Sequence, residues 1–93
     1  MKDGDDINGN ELEDIIEIWS KTTPGPWKSF VEGRDHLGGS SFIKTGVGKT
    51  RGRDIELFGA SEADQDFIAI AHCCVPRLVE EIRRLRLLLQ IDK

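Results

Sequence analysis

Apolar residues recur at helical spacing near the start of the chain. The positions i, i+3, i+4 and i+7 are occupied by Leu12, Ile15, Ile16 and Trp19. This spacing places them along one side of a helix. Acidic side chains fill much of the remaining surface and favour the helix start, where the backbone dipole is positive. The pattern predicts a helix over residues 10–21, ended by the prolines of segment 22–26. We expect residues 1–8 to be a disordered acidic tip.

The middle of the chain predicts three short strands. They cover residues 27–32, 41–45 and 54–58, and the last alternates apolar with acidic side chains. Short connections between strands imply antiparallel neighbours. The sequence therefore predicts a three-stranded antiparallel meander, one face of which the helices must cover.

The last third of the chain is predicted to form two helices. Ser61 followed by Asp64 has the spacing of a capping box, so the first of them begins there. The apolar residues that fall on one side of this helix are Phe67, Ile70, Ala71 and Cys74. Pro76 either starts a new helix or kinks one long helix. We favour a break near Cys74–Val75 and a second helix to about Gln90. The predicted fold is α+β and a single domain over residues 1–93: an N-terminal helix, the meander, and two C-terminal helices packed on the sheet.

The predicted final helix carries more apolar side chains than one small sheet requires. A heptad seam is formed by Val75, Leu78, Ile82, Leu85 and Leu89. Leu87, Leu88 and Ile91 lie off that seam and widen the apolar surface. This surface predicts a homodimer through the C-terminal helix, or docking to a partner. The alternative is that these leucines belong to the core.

The stretch Gly48-Lys49-Thr50 ends like a phosphate-binding P-loop. The pattern requires a glycine five residues before Gly48, where this chain has Ile43. It also requires a helix directly after the loop, and the residues that follow alternate like a strand. We therefore interpret residues 46–52 as a glycine-rich turn between two strands, and we expect no nucleotide cofactor.

Charge is distributed unevenly along the chain. Residues 1–21 carry seven acids and two bases, a local charge of −5, whereas residues 44–53 carry four bases and no acid. The candidate partner-binding residues are Glu13, Asp14 and Glu17 in the first helix and Lys44, Lys49, Arg51 and Arg53 in the turn. The acidic helix could meet a basic partner, and the basic turn could contact phosphates or an acidic surface. Either group could equally be an ordinary solvated face.

The residues with catalytic or metal-binding chemistry do not form a convincing set. His36 lies beside Asp35 and close to Ser40, but sequence neighbours in one loop rarely converge as a base, an acid and a nucleophile. His72, Cys73 and Cys74 would point in different directions from a helix, and a zinc site needs three or four converging ligands. The sequence predicts a protein that is not an enzyme and binds no metal.

Composition narrows the setting. The net charge of −4 argues against a general nucleic-acid binder, so nucleic acid is an unlikely partner. The cysteines Cys73 and Cys74 are adjacent, so they are not expected to bridge each other, which suits a reducing compartment. The N-terminus has no secretory pattern and no apolar run is long enough to cross a membrane. These features predict a cytoplasmic protein without a membrane partner.

Two segments resemble small proteins of phages, prophages and mobile bacterial loci. The first is the turn T-P-G-P-W at residues 23–27, and the second is the D-x-x-F-I-A segment followed by V-P-x-L-x-x-E-I within residues 64–85. This chain departs from the pattern at His72-Cys73-Cys74, where a more polar stretch is usual. The shared motifs are structural and carry no catalytic residue. The resemblance implies an accessory role, such as toxin immunity or modulation of host defences.

Taken together, the sequence predicts a non-enzymatic binding protein of the inhibitor or immunity type. Its partner would be a protein such as a basic toxin or nuclease. Complementary charge would speed association, which suits an antidote. The alternative is an accessory protein of the phage type that binds a nucleotide or nucleic acid through the basic turn at residues 44–53.

Overall fold

The computed structural model describes residues 6–89. Within them it has helix α1 (Gly9–Ser20), strand β1 (Trp27–Phe30), strand β2 (Phe42–Thr45) and helix α2 (Glu62–Leu88), with a short 3₁₀ turn at Gly48–Thr50. The α+β class is as predicted. The N-terminal part of the predicted acidic tip, residues 1–5, lies outside the described residues, as do Gln90 and Ile91.

The chain divides into two compact units. One unit contains Met1–Thr22 and Val75–Lys93, and the other contains Thr23–Cys74. The division falls within α2, at the position where the sequence pattern suggested a break. The expectation of one domain over residues 1–93 stays a prediction.

Helix α1 forms where the apolar spacing predicted it, within one residue at each end. Asn8 caps it, because the Asn8 side chain accepts from the Glu11 N–H at 2.8 Å while the Glu11 carboxylate accepts from the Asn8 N–H at 2.9 Å. The helix closes at Lys21, whose N–H donates to the Ile18 carbonyl, and the Thr22 N–H donates to the Trp19 carbonyl. Leu12 is the buried residue of the predicted stripe, at 2% exposure.

The prediction of three strands is wrong: residues 6–89 contain a two-stranded antiparallel sheet, β1–β2. The segment predicted as the third strand makes only an isolated bridge, in which Ile55 and Ile43 exchange both backbone hydrogen bonds. Pairing does not extend toward the turn as a ladder, because the Thr45 hydroxyl donates to the Arg53 carbonyl in place of an amide. On the other side a turn starts at once, since the Ala60 N–H donates to the Leu57 carbonyl.

The prediction of two C-terminal helices is also wrong, because α2 is one helix of 27 residues with Pro76 inside it. Proline lacks an N–H and costs roughly 3 kcal/mol within a helix. Its fixed φ nevertheless remains helical, and helical residues continue on both sides of it. The start of α2 is as predicted. The Ser61 hydroxyl accepts from the Asp64 N–H at 3.0 Å, and the Asp64 carboxylate accepts from the Ser61 N–H at 3.2 Å.

The face that α2 buries differs from the predicted apolar stripe. In the unit Thr23–Cys74, its buried residues are Gln65, Ala69 and His72, whereas Phe67 and Ile70 are 70% and 58% exposed. His72 stacks on Trp27 with ring centroids 3.9 Å apart and planes within 2°. Burial lowers the pKa of His72, because the charged imidazolium loses solvent.

Each unit has its own small set of buried apolar residues. Val31, Ile43 and Ala69 are buried in the unit Thr23–Cys74, and Leu12 and Val79 are buried in the other. The heptad seam predicted for the end of α2 is not a buried face, because Leu78 and Leu85 are 58% and 43% exposed. No helix among residues 6–89 is long and apolar enough to span a membrane.

Candidate protein-binding site

Two exposed phenylalanines border one hollow in the unit Thr23–Cys74. Phe58 is fully exposed and Phe67 is 70% exposed. The hollow has a volume of about 530 Å³. It is lined by Glu56, Leu57, Phe58, Gly59, Ala60, Asp64, Phe67 and Ile68. We call these residues the phenylalanine groove.

Local chemistry explains how the two rings reach the surface. Gly59 has φ +81°, a left-handed conformation that only glycine adopts without strain, and it lets the chain turn directly after Phe58. The capping box between Ser61 and Asp64 then starts α2, which places Phe67 in its second turn. A turn and a capped helix start therefore present both rings on rigid backbone.

The charged residues that line the phenylalanine groove are both acidic. They are Glu56 and Asp64, and none of the basic residues among positions 6–89 lines the hollow. Glu56 accepts a hydrogen bond from the Ser40 hydroxyl at 2.9 Å, which orients its carboxylate without neutralising it. Apolar area bordered by carboxylates complements a partner segment that carries both apolar and basic side chains.

An arginine fixes the helix start to the loop after β1. The Arg34 guanidinium donates to Asp66 at 2.9 and 3.0 Å and to Asp35 at 2.9 and 3.1 Å. Its hydrogen bond to Asp66, helped by one from Ser29, lowers the pKa of Asp66 to about 2. The hydrogen bonds to Asp66 and Asp35 raise the pKa of Arg34. We call these hydrogen bonds of Arg34 to Asp35 and Asp66 the Arg34 clasp. Because Asp66 is adjacent to Gln65 and Phe67 along α2, the Arg34 clasp limits fraying of the helix segment that carries Phe67.

The acidic candidates of α1 lie exposed in the other unit. Glu13, Asp14 and Glu17 are all exposed, and Glu17 forms a surface ion pair with Lys21 at 3.6 Å. Ile18, one helical turn after Asp14, is 67% exposed. The sequence pattern had not singled out Ile18. An exposed isoleucine among carboxylates repeats, in this unit, the chemistry of the phenylalanine groove.

The structure does not keep the four basic candidates together as one free set. Lys49 and Arg53 are exposed, and Lys44 is half-buried on β2. Arg51 is engaged within its own turn, where it pairs with Asp54 at 2.6 Å and donates to the carbonyl of Gly52. The turn is tight at Gly46, where a Cβ would lie 2.1 Å from the Thr50 carbonyl oxygen. The first α-helix after it begins only at Glu62, so the helix that a P-loop requires is missing from this position.

The residues considered for catalysis or metal binding stay apart. His36 lies in the loop after β1, 5.4 Å from the Phe42 ring between centroids. Cys73 is exposed, Cys74 is half-buried, and both are free thiols. Among residues 6–89, no three His, Cys, Asp or Glu side chains come close enough to hold a metal ion.

The sequence pattern missed the groove because it assigned Phe67 to the buried stripe of α2. The face that is buried instead contains Gln65 and His72, which hydrophobicity alone does not select. Phe58 was assigned to the end of a strand that does not form. Comparison with known protein families, curated proteins and solved structures found no match.

Proposed function

We propose that this protein is a non-enzymatic binding protein of the inhibitor or immunity type, which neutralises a basic protein partner in the cytoplasm. The observation that carries the proposal is the pair Phe58 and Phe67, two exposed rings on one hollow. An exposed phenylalanine gives up solvent contact only when a partner covers it, and aromatic side chains dominate binding energy at protein interfaces.

The charge of the groove supports a basic partner. Glu56 and Asp64 line the hollow, and the α1 surface around Ile18 carries Glu13, Asp14 and Glu17 in the other unit. Carboxylates around apolar anchors would steer a cationic partner and raise its association rate, which an inhibitor needs. The resemblance to accessory proteins of mobile loci agrees with this role.

The proposal retains a homodimer through the C-terminal helix. Leu78, Leu85 and Leu89 stay 58%, 43% and 67% exposed. These residues belong to the predicted heptad seam, so a second copy offers the same spacing of leucines. None of these three leucines lines the phenylalanine groove, so the dimer and the partner would use different residues.

A paired capture experiment tests the function. The wild-type chain and the variant Phe58→Ser/Phe67→Ser are immobilised and exposed to the same lysate of the native host. We expect a basic protein to be retained by the wild type and absent from the variant. The activity of the captured basic protein should fall to zero when an equimolar amount of the wild-type chain is added.

The variant Leu37→Ser is the matched control, because Leu37 is 87% exposed but does not line the groove. It should capture the same basic protein as the wild type. Identical proteins on the wild type and on Phe58→Ser/Phe67→Ser would contradict the proposal, and so would a captured protein whose activity the wild type leaves unchanged.

A further inference from the structure

The outer side of the β1–β2 hairpin combines rings with lysines. The register pairs Lys28 with Lys44 and Phe30 with Phe42, and directly opposed residues share a face of the sheet. Because side chains alternate along a strand, both pairs lie on the same face. His36 adds a third ring against Phe42. We call Lys28, Phe30, His36, Phe42 and Lys44 the ring face.

This face is not the buried side of the hairpin. The opposite side contains Ile43 and Thr45, which are 0% and 1% exposed. On the ring face, Lys28 is exposed and the other members are half-buried. A ligand can therefore reach the ring face without opening the unit.

The three rings contact one another in two pairs, of which the phenylalanine pair is stacked. Phe30 and Phe42 have centroids 5.3 Å apart and planes inclined by 20°. The His36 ring lies 5.4 Å from Phe42, inclined by 55°. The Lys28 ammonium lies 5.7 Å from the centre of the Phe30 ring. Flat rings beside a cation offer stacking to a planar group and an ionic contact to its neighbour.

Hairpin stability does not explain the two lysines. Like charges directly opposite each other destabilise an antiparallel pair. An anion placed between Lys28 and Lys44 would relieve that repulsion. Of the acids on the segment beside β2, Asp54 pairs with Arg51 at 2.6 Å, whereas Glu56 accepts only from the neutral Ser40 hydroxyl at 2.9 Å and keeps its charge. The exposed Lys49 and Arg53 extend the basic character into the turn after β2.

We propose that the ring face binds single-stranded nucleic acid, with the rings stacking on unpaired bases and the lysines contacting phosphates. A strand with phosphates along one edge and unpaired bases along the other matches a face on which a lysine pair lies beside a ring pair. A duplex fits less well, because its bases are already stacked and are not available to the rings. The overall charge of −4 does not oppose this, since the local field at the site governs the encounter. The ring face is distinct from the phenylalanine groove, so the two proposals stand independently.

The test is fluorescence anisotropy with labelled single strands, oligo-dT and oligo-U, at several salt concentrations. The wild type should bind with a Kd in or below the range of about 10⁻⁶ to 10⁻⁴ M that is usual for non-specific binding. The variant Lys28→Gln/Lys44→Gln should reduce the slope of log K against log salt by about 1.4, or about 0.7 for each lost phosphate contact. The double control Lys21→Gln/Arg77→Gln removes two exposed charges outside the ring face and should leave the slope unchanged.

The contribution of a ring is tested by Phe42→Leu and Phe42→Tyr, with folding checked by circular dichroism. Phe42→Leu should weaken binding about five- to a hundredfold, and Phe42→Tyr should restore it, because stacking requires the ring. No anisotropy change at about 1 mM protein, above the weakest usual Kd, would overturn the proposal. Displacement of the labelled strand by polyglutamate as effectively as by unlabelled oligo-dT would also overturn it, because the ligand would then be an acidic protein. So would an unchanged slope in the lysine variant.

Discussion

The unit Thr23–Cys74 carries two pairs of phenylalanines that share one side-chain chemistry and differ in everything around it. Phe58 and Phe67 stand apart on a hollow lined by carboxylates, and solvent reaches most of each ring. Phe30 and Phe42 stack on each other beside a pair of lysines and are half-buried. The two proposals differ because exposure and neighbouring charge, rather than the aromatic residue itself, distinguish the two pairs.

Loss of either groove ring should have the largest effect on partner binding. Phe58→Ala and Phe67→Ala are each expected to weaken binding of the captured partner by about 2–4 kcal/mol, as truncation of an aromatic anchor does. Isothermal titration calorimetry measures this, with Leu37→Ala as the control. Little change for both alanine variants would remove the distinction between the two phenylalanine pairs.

The next largest effect should come from Gln65, which is bonded to the strands that carry Phe30 and Phe42. Its side-chain amide donates to the Ser29 hydroxyl at 2.8 Å and to the carbonyls of Phe30 and Phe42 at 3.2 and 3.1 Å. It is 4% exposed, so Gln65→Ala would leave buried acceptors unpaired and a cavity beside them. We expect the free energy of unfolding to fall by about 2 kcal/mol. Urea denaturation measures this change.

Ser20→Ala serves as the control for Gln65→Ala. Ser20 is exposed on α1 and its hydroxyl donates to the Glu17 carbonyl. This variant should change stability little, because the lost group faces water. A stability loss in Gln65→Ala no greater than that in Ser20→Ala would contradict the role of the buried amide.

A smaller effect is expected from acid at the Arg34 clasp. Asp66 has a pKa of about 2 in the folded chain, below its ordinary value of 3.8, because Arg34 and Ser29 donate to it. A depressed carboxyl pKa stabilises the fold above the unfolded value, and that contribution is lost as pH falls from about 4 to about 2. In Arg34→Gln the Asp66 pKa should return toward its ordinary value.

The pKa of Asp66 is read by NMR titration of its side-chain carboxyl carbon in both proteins. Glu81 supplies an internal reference, since its pKa is lowered by Arg84 and not by Arg34. It should titrate identically in the wild type and in Arg34→Gln. An Asp66 titration unaffected by the substitution would show that the clasp does not hold the start of α2.

Local signals in the sequence predicted α1 and the start of α2 because each signal acts on its own neighbours. The capping pair Ser61 and Asp64 needs nothing outside one helical turn. The third strand could not be predicted in the same way, since whether Ile55 pairs alone depends on the Thr45 hydroxyl and on a turn at Gly59. The predicted break near Pro76 was wrong, because it considered the missing N–H of proline and not the helical residues on both sides of it.

The candidate site was hidden from the sequence for a related reason. Hydrophobic periodicity assumes that apolar residues face the core, and in α2 the buried face contains Gln65 and His72 while Phe67 is left outside. Gln65 is buried because its amide satisfies two strand carbonyls, a relation across more than twenty residues of sequence. The acidic face of α1 was visible from the sequence, because charge needs no tertiary contact to be counted.

Site-specific photocross-linking tests the central claim most directly. A photoreactive phenylalanine analogue is placed at position 58 in one sample and at position 37 in another, and both are irradiated in lysate of the native host. The account predicts one basic protein joined covalently at position 58 and absent at position 37. The same adducts at both positions, or none at position 58, would contradict it.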